Sequence, residues 1–262
     1  MIPHRRTAAL FLSVAASLGA PLVAPLAAQK VPGAVLAKNE PHHHLAYEDG
    51  VLRVLRVRVP AHDSTLLHEH DPDYFWIALG ASEVVNARPG MPDATIASSD
   101  LSIHYTRGNF AHVARNPAAV PFDNITVELP GAPQGEVRNL CEEAVAGAPR
   151  SCGAKDPMPR PGVTEHPAFE TRRLRVALVT IAAGSSLAGT TAQPAPWLIA
   201  LDAGVTPRRL RIATPSAATR ASSATGMAWH GGVWRATPGR DWSVTNTATV
   251  PVRVLVVTPF SE

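Results

Sequence analysis

The sequence repeats itself. HLAYE at 44–48 returns as HPAFE at 166–170, an offset of 122; at that offset LRV at 52–54 meets LRV at 174–176, and IAL at 77–79 meets IAL at 199–201. Farther on the offset grows to 130, where NPAAVPF at 116–122 meets NTATVPV at 246–252, as loop insertions would produce. A period this long is no solenoid unit and points to a duplicated domain. The apolar runs are short, valine-rich and often alternating: VLRVLRVRV at 51–59, YFWIAL at 74–79, FDNITVEL at 122–129 and VPVRVLVV at 250–257. No long stretch carries a helical period, so both copies read as all-β. They cover roughly 35–130 and 161–262, and the Pro-, Gly- and Ala-rich stretch 131–160 reads as a linker.

Residues 1–28 differ in kind. Arg5 and Arg6 precede an apolar run from Ala8 to about Val23, and Ala27 and Ala28 close it. That is the layout of a secretory signal peptide cleaved before Gln29, which predicts a periplasmic or secreted protein. Pro21 and Pro25 interrupt the run, which argues against a retained membrane anchor, and no later segment is apolar over the roughly 18 residues a membrane helix needs. Cleavage takes the 24 basic residues to 22 against 21 acidic ones, so the formal charge falls from +3 to about +1. With no polybasic block either, nothing favours a nucleic-acid partner. An oxidising compartment would let Cys141 and Cys152 pair across a short loop, worth about 2–3 kcal/mol, the alternative being two free thiols. Their spacing excludes a CxxC motif. No GxSxG, P-loop, dinucleotide fingerprint or HExxH is present, which leaves serine hydrolase, kinase and zinc peptidase readings without support.

The copies part company at one polar cluster. At offset 122, His68 falls on Thr190, His70 on Ala192 and Asp73 on Ala195; at offset 130, His112 falls on Trp242. A fold that needed these histidines would keep them in both copies, so they read as a site. On a strand, residues two apart share a face. His68 and His70 can therefore turn both imidazoles toward one point, with Glu69 facing the other way, to solvent. Neutral imidazole ligates zinc, iron, copper and nickel. His112, in RGNFAHVARN, is the best third ligand. A histidine pair facing a third from another strand leaves coordination positions open.

These stretches, HEHDPDYFWIALG at 68–80 and GNFAHVARN at 108–116, resemble the two motifs of the cupins, and the repeat makes the chain similar to a bicupin of the exported bacterial kind. The resemblance implies two double-stranded β-helix barrels, with His68, His70 and His112 holding a divalent metal (Fe, Mn, Ni or Zn) in the first and none in the second. Asp73 stands where the family has a glutamate, and reads as a fourth ligand, as a hydrogen-bond partner of a ligand histidine, or as a turn residue beside Pro72. One extra residue separates Gly108 from His112, which a small bulge would absorb. By analogy the function is a metal-dependent oxidoreductase, dioxygenase-like, or an isomerase on a small molecule, with Asp73 and Tyr74 as candidate catalytic groups. The alternative is a non-catalytic periplasmic module that binds a small ligand or metal, with a homodimer among its assemblies.

Other residues carry weaker signals. His42, His43 and His44 form a tag-like run in which His44, matched by His166, reads as structural. His62 reads as an exposed turn residue and His104 as a satisfied sheet histidine. Alternation sends Tyr74 and Trp76 to one face, as core or pocket wall, and Phe75 to the other. Arg107 and Arg115 flank His112 and serve either an anionic substrate or the surface. Asn116 and Asn246 recur and read as turn residues.

Overall fold

Strand Arg53–Val59 pairs antiparallel with Phe122–Glu128, which pairs in turn with Tyr74–Ala78. His43–Glu48 and Ile103–Thr106 complete this five-stranded sheet. A second sheet runs in the order Val35–Leu36, His68–His70, Phe110–Arg115, Ser82–Ala87, Ala94–Ser98. The two close around Leu55, Val57, Val59, Tyr74, Trp76, Val84 and Phe122. The strand bounds come from a computed structural model, which describes residues 31–152, 160–202, 209–213 and 232–260. The candidate signal peptide, 1–28, lies outside the described residues.

The second copy repeats the plan. A six-stranded sheet runs Arg138–Asn139, Val163–Glu170, Leu174–Ile181, Val252–Pro259, Trp197–Ala200, Val233–Arg235. A three-stranded sheet runs Ser186–Gly189, Trp242–Asn246, Leu210–Ala213. Together they enclose Val179, Ile181, Leu198, Trp234, Trp242, Val244 and Val254. The chain is all-β, two double-stranded β-helix barrels in tandem, as the repeat requires.

The repeat also explains how the barrels meet. Val54, Phe75, Ile77, Ile125 and Val127 face away from the first barrel's interior. Their counterparts at offsets 122 and 130 are Val176, Trp197, Ile199, Leu255 and Val257, and all ten belong to one core between the barrels. Each large sheet is thus buried on both faces, which accounts for apolar runs such as YFWIA that do not alternate. Phe75 meets Phe169 edge-on at 5.2 Å. Trp197 Nε1 donates across the interface to Asp49 Oδ2 at 2.9 Å. Phe75 is fully buried, so Phe75→Ala is expected to cost about 3–5 kcal/mol in denaturant unfolding.

Asn116 and Asn246 do the same work in each copy. Asn116 Nδ2 donates to the carbonyls of Val59, Pro60 and Val120, and its Oδ1 accepts from Ala118 N–H. Asn246 binds Ile181, Val250 and Ala248 in the same way. The described part of the stretch after the first barrel, up to Cys152, is packed. Its strand Arg138–Asn139 extends the six-stranded sheet, Ala144 enters the shared core, and Tyr105 N–H donates to Ala144 O at 2.7 Å. Cys141 and Cys152 are joined in a disulfide there.

Candidate metal centre

Four histidines line the first barrel's interior. Pairing between His68–His70 and Phe110–Arg115 sets His68 directly opposite His112, with ring centroids 4.4 Å apart. The period of two brings the His70 ring to 5.1 Å from His68 and 5.5 Å from His112. His43 arrives from the other sheet, opposite the inward-facing Val57, with its ring 4.6 Å from His68. One ring nitrogen from each of His43, His68 and His70 lies within 4.8 Å of the others.

Each imidazole is held from behind through Nδ1. His43 donates to Glu40 Oε2 at 2.5 Å, and His68 to Leu66 O at 2.9 Å. His70 donates to Glu128 Oε1 and His112 to Asn86 Oδ1, each at 2.9 Å. These partners are acceptors, so Nδ1 carries the proton and the Nε2 lone pair is left for a ligand. Outer hydrogen bonds of this kind fix the rings of metal-binding histidines. His68 Nε2 is buried without a hydrogen-bond partner, a cost that a bound cation would remove.

The electrostatics agree. Burial, then the neighbouring His43 and His70, lowers His68 to about 3. Burial lowers His70 and, with the other histidines, His112 as well. These rings are therefore neutral at pH 7 and need lose no proton to bind a metal. Burial raises Glu128, but the bonds from His70 and Arg53 outweigh it and keep the carboxylate ionised. Glu40 behaves alike: burial raises it, and His43 with the Leu66 and His42 N–H groups lowers it by more. Arg53 bridges Glu128 and Glu48.

The rings open onto a cavity of about 70 Å³. Tyr74 stacks on His70 at 4.0 Å, and burial raises its hydroxyl so that it stays protonated. Tyr74 and Trp76 are both core residues and cavity wall, so the two readings of them coincide.

The close group of nitrogens is His43, His68 and His70; His112 lies outside it but packs its ring against His68 and His70, whereas Asp73 is engaged elsewhere. Its Oδ2 accepts from the Tyr105 hydroxyl at 2.5 Å and Arg107 at 3.0 Å, and its Oδ1 from Gly108 N–H at 3.0 Å. Burial raises this carboxyl, and those three donors lower it by more. Asp73 thus clasps a turn, and His43 stands where a fourth ligand was expected. Gly108 has no room for a side chain, since a Cβ would lie 2.3 Å from the Pro72 carbonyl carbon. Asn109, at φ 59°, absorbs the extra residue and donates to His70 O at 2.7 Å.

Sequence reasoning missed His43 and Glu128. The repeat held the signal: at offset 122 His43 becomes Glu165, and at offset 130 Asn124, Thr126 and Glu128 become Val254, Val256 and Thr258. His44 and His166, the matched pair, are both exposed. Glu69, expected in solvent, is only 9% exposed, because Val35–Leu36 pairs alongside it. His62 is an exposed turn residue, and His104 bonds Ser98 and Ser102 while stacking on Trp76. Arg107 binds Asp73 and Gly135 O, and Arg115 binds Asp93; neither lines the cavity.

The second barrel has a cavity at the corresponding place, lined by Glu165, Val179, Trp242 and Val256, but no histidines line it. Trp242 lies opposite Gly189, as His112 lies opposite His68. By register, then, Gly189 replaces His68, one residue from the Thr190 that counting gave. The indole occupies the vacated space, and a Cβ on Gly189 would lie 2.5 Å from Trp242 Nε1. Ile212 stands at the register position of Asn86.

No protein-family model and no curated protein matches the chain. Solved structures do. AerE of Microcystis aeruginosa aligns at TM-score 0.56 and 11% identity, over 84% of this chain and 94% of its own. A salicylate 1,2-dioxygenase of Pseudaminobacter salicylatoxidans aligns at 0.50 and 11%, over 81% and 72%. An oxalate decarboxylase aligns at 0.50 and 11%, over 84% and 76%. At such identities the likeness is one of fold.

Proposed function

We propose that this bicupin holds a divalent metal in its first barrel through His43, His68, His70 and His112, and acts on a small molecule bound in the adjoining cavity. One observation carries the reading: each of the four rings is fixed through Nδ1 by an outer acceptor. Iron, nickel and zinc suit imidazole ligands, whereas manganese favours oxygen ligands. A bound ion would supply Lewis-acid polarisation or activation of dioxygen, hence an oxidoreductase or isomerase. The chain's own residues orient the reactants. Glu40 and Glu128 hold His43 and His70, Trp76 and Phe122 help wall off water, and Tyr74 keeps a proton at its hydroxyl oxygen.

A binding module without turnover is the second reading. The polar cavity-lining residues other than histidine are Tyr74, Asn86, Thr106, Asn124 and Thr126, none of which takes up a proton near neutral pH. We further propose that the protein works in the periplasm or outside the cell; the Cys141–Cys152 disulfide supports an oxidising compartment.

Metal analysis of protein purified from its native compartment tests the centre. About one metal per chain is expected, and loss of it in a folded His68→Ala variant. Wild-type protein that stays metal-free after supplementation overturns the proposal. Oxygen uptake and product analysis with small substrates then separate enzyme from binding module.

A further inference from the structure

The metal reading leaves a charge to be balanced, and the cavity says by what. Four imidazoles would bring a divalent ion no negative charge. Apart from the histidines, none of the residues lining the cavity is acidic or basic. Behind the rings stand Glu40 and Glu128; Arg53 is shared between Glu128 and the outer Glu48, and Arg88 lies near enough to act on His112 and Tyr74, so two cations face three carboxylates. A divalent ion would therefore leave about one positive charge in a pocket with largely apolar walls, where an unpaired charge is costly. A monoanion from solution fits this balance; a dianion overshoots it.

The walls describe the rest of the ligand. Val57, Trp76, Ile96 and Phe122 are apolar, so the body of the anion is apolar too. Thr126 donates its hydroxyl to Asn124 Oδ1 at 2.9 Å. That leaves the Asn124 amide group as a donor, suited to a second oxygen of the ligand. Size is the sharpest limit. At about 70 Å³ the cavity is roughly half the ~150 Å³ of an apolar cavity that takes benzene. A short aliphatic body fits and an aromatic ring does not.

We propose that the first barrel selects a short-chain aliphatic monocarboxylate, bound through oxygen to the metal; this rests on the metal reading above. The test uses the full chain loaded with cobalt(II), whose visible absorption reports on coordination. Propionate, propionamide, benzoate and oxalate are each titrated against it. Propionate is expected to shift the spectrum saturably and to bind at least tenfold tighter than any of the other three. Ile96→Ala, at the cavity wall, is expected to narrow the gap between benzoate and propionate. An unchanged spectrum with propionate overturns the proposal, as does propionamide, benzoate or oxalate binding equally well. Failure of the protein to take up cobalt at all overturns the metal reading itself, and the absence of the cobalt bands tells that outcome from the others.

Discussion

His43→Ala is expected to weaken divalent-metal binding by about a hundredfold or more, and Asp73→Asn by less than twofold. Motif spacing left Asp73 open between ligand and turn and gave His43 no part beyond a tag-like run. His43 is buried, its Nδ1 is anchored on Glu40, and one of its ring nitrogens lies within 4.8 Å of nitrogens on His68 and His70. Removing a ligand costs more than removing the outer partner of one, for which 10–100-fold is typical. Asp73 has both oxygens engaged in the turn that joins Tyr105, Arg107 and Gly108. An amide keeps part of that clasp, so Asp73→Asn is expected to cost about 1–2 kcal/mol of stability while metal content stays near wild type. Competition against a chelator of known affinity, with unfolding curves for both variants, makes the comparison. Equal metal loss in a well-folded Asp73→Asn protein would restore the carboxylate as a ligand.

That contrast shows what sequence can and cannot carry. The barrels were legible because duplication tests itself: LRV, IAL and the Asn116–Asn246 pair recur at fixed offsets. His68, His70 and His112 were legible because a period of two is local and the second motif is short. His43 and Glu128 come from the opposite sheet, and their approach is set by closure of the barrel, which no spacing along the chain encodes. They were still marked by difference, since every inward polar residue of FDNITVEL turns apolar or loses its charge in the second copy. Asp73 stayed open because its count from Gly80 fits a ligand as well as a turn. The contact of Gly108 with the Pro72 backbone, which makes the loop a turn, is between residues distant in sequence.

The metal-free protein is expected to lose stability as pH falls from about 6.5, well before its carboxylates titrate. An unfolded histidine has a pKa near 6.5. Folded His68 is lowered to about 3, and His70 and His112 move the same way, burial being the first cause in each. Between the two values the unfolded chain binds protons that the native state refuses, so stability rises with pH and falls on acidification. Each such histidine contributes a slope of about 1.4 kcal/mol per pH unit there. Glu40 and Glu128, lowered in the native state, add a further loss only as pH falls through the carboxylate range. Melting temperatures of chelator-treated protein between pH 7 and 4 measure this, and a flat profile from 7 to 5 would contradict it. Bound metal stabilises only the folded state and competes with protons for the same nitrogens, so the loaded protein should hold its melting temperature to lower pH. His68→Leu separates this linkage from general acid damage. It removes one titrating group and leaves an apolar side chain in its place, so the slope above pH 5 should drop by about one histidine's share while the carboxylate-range loss persists.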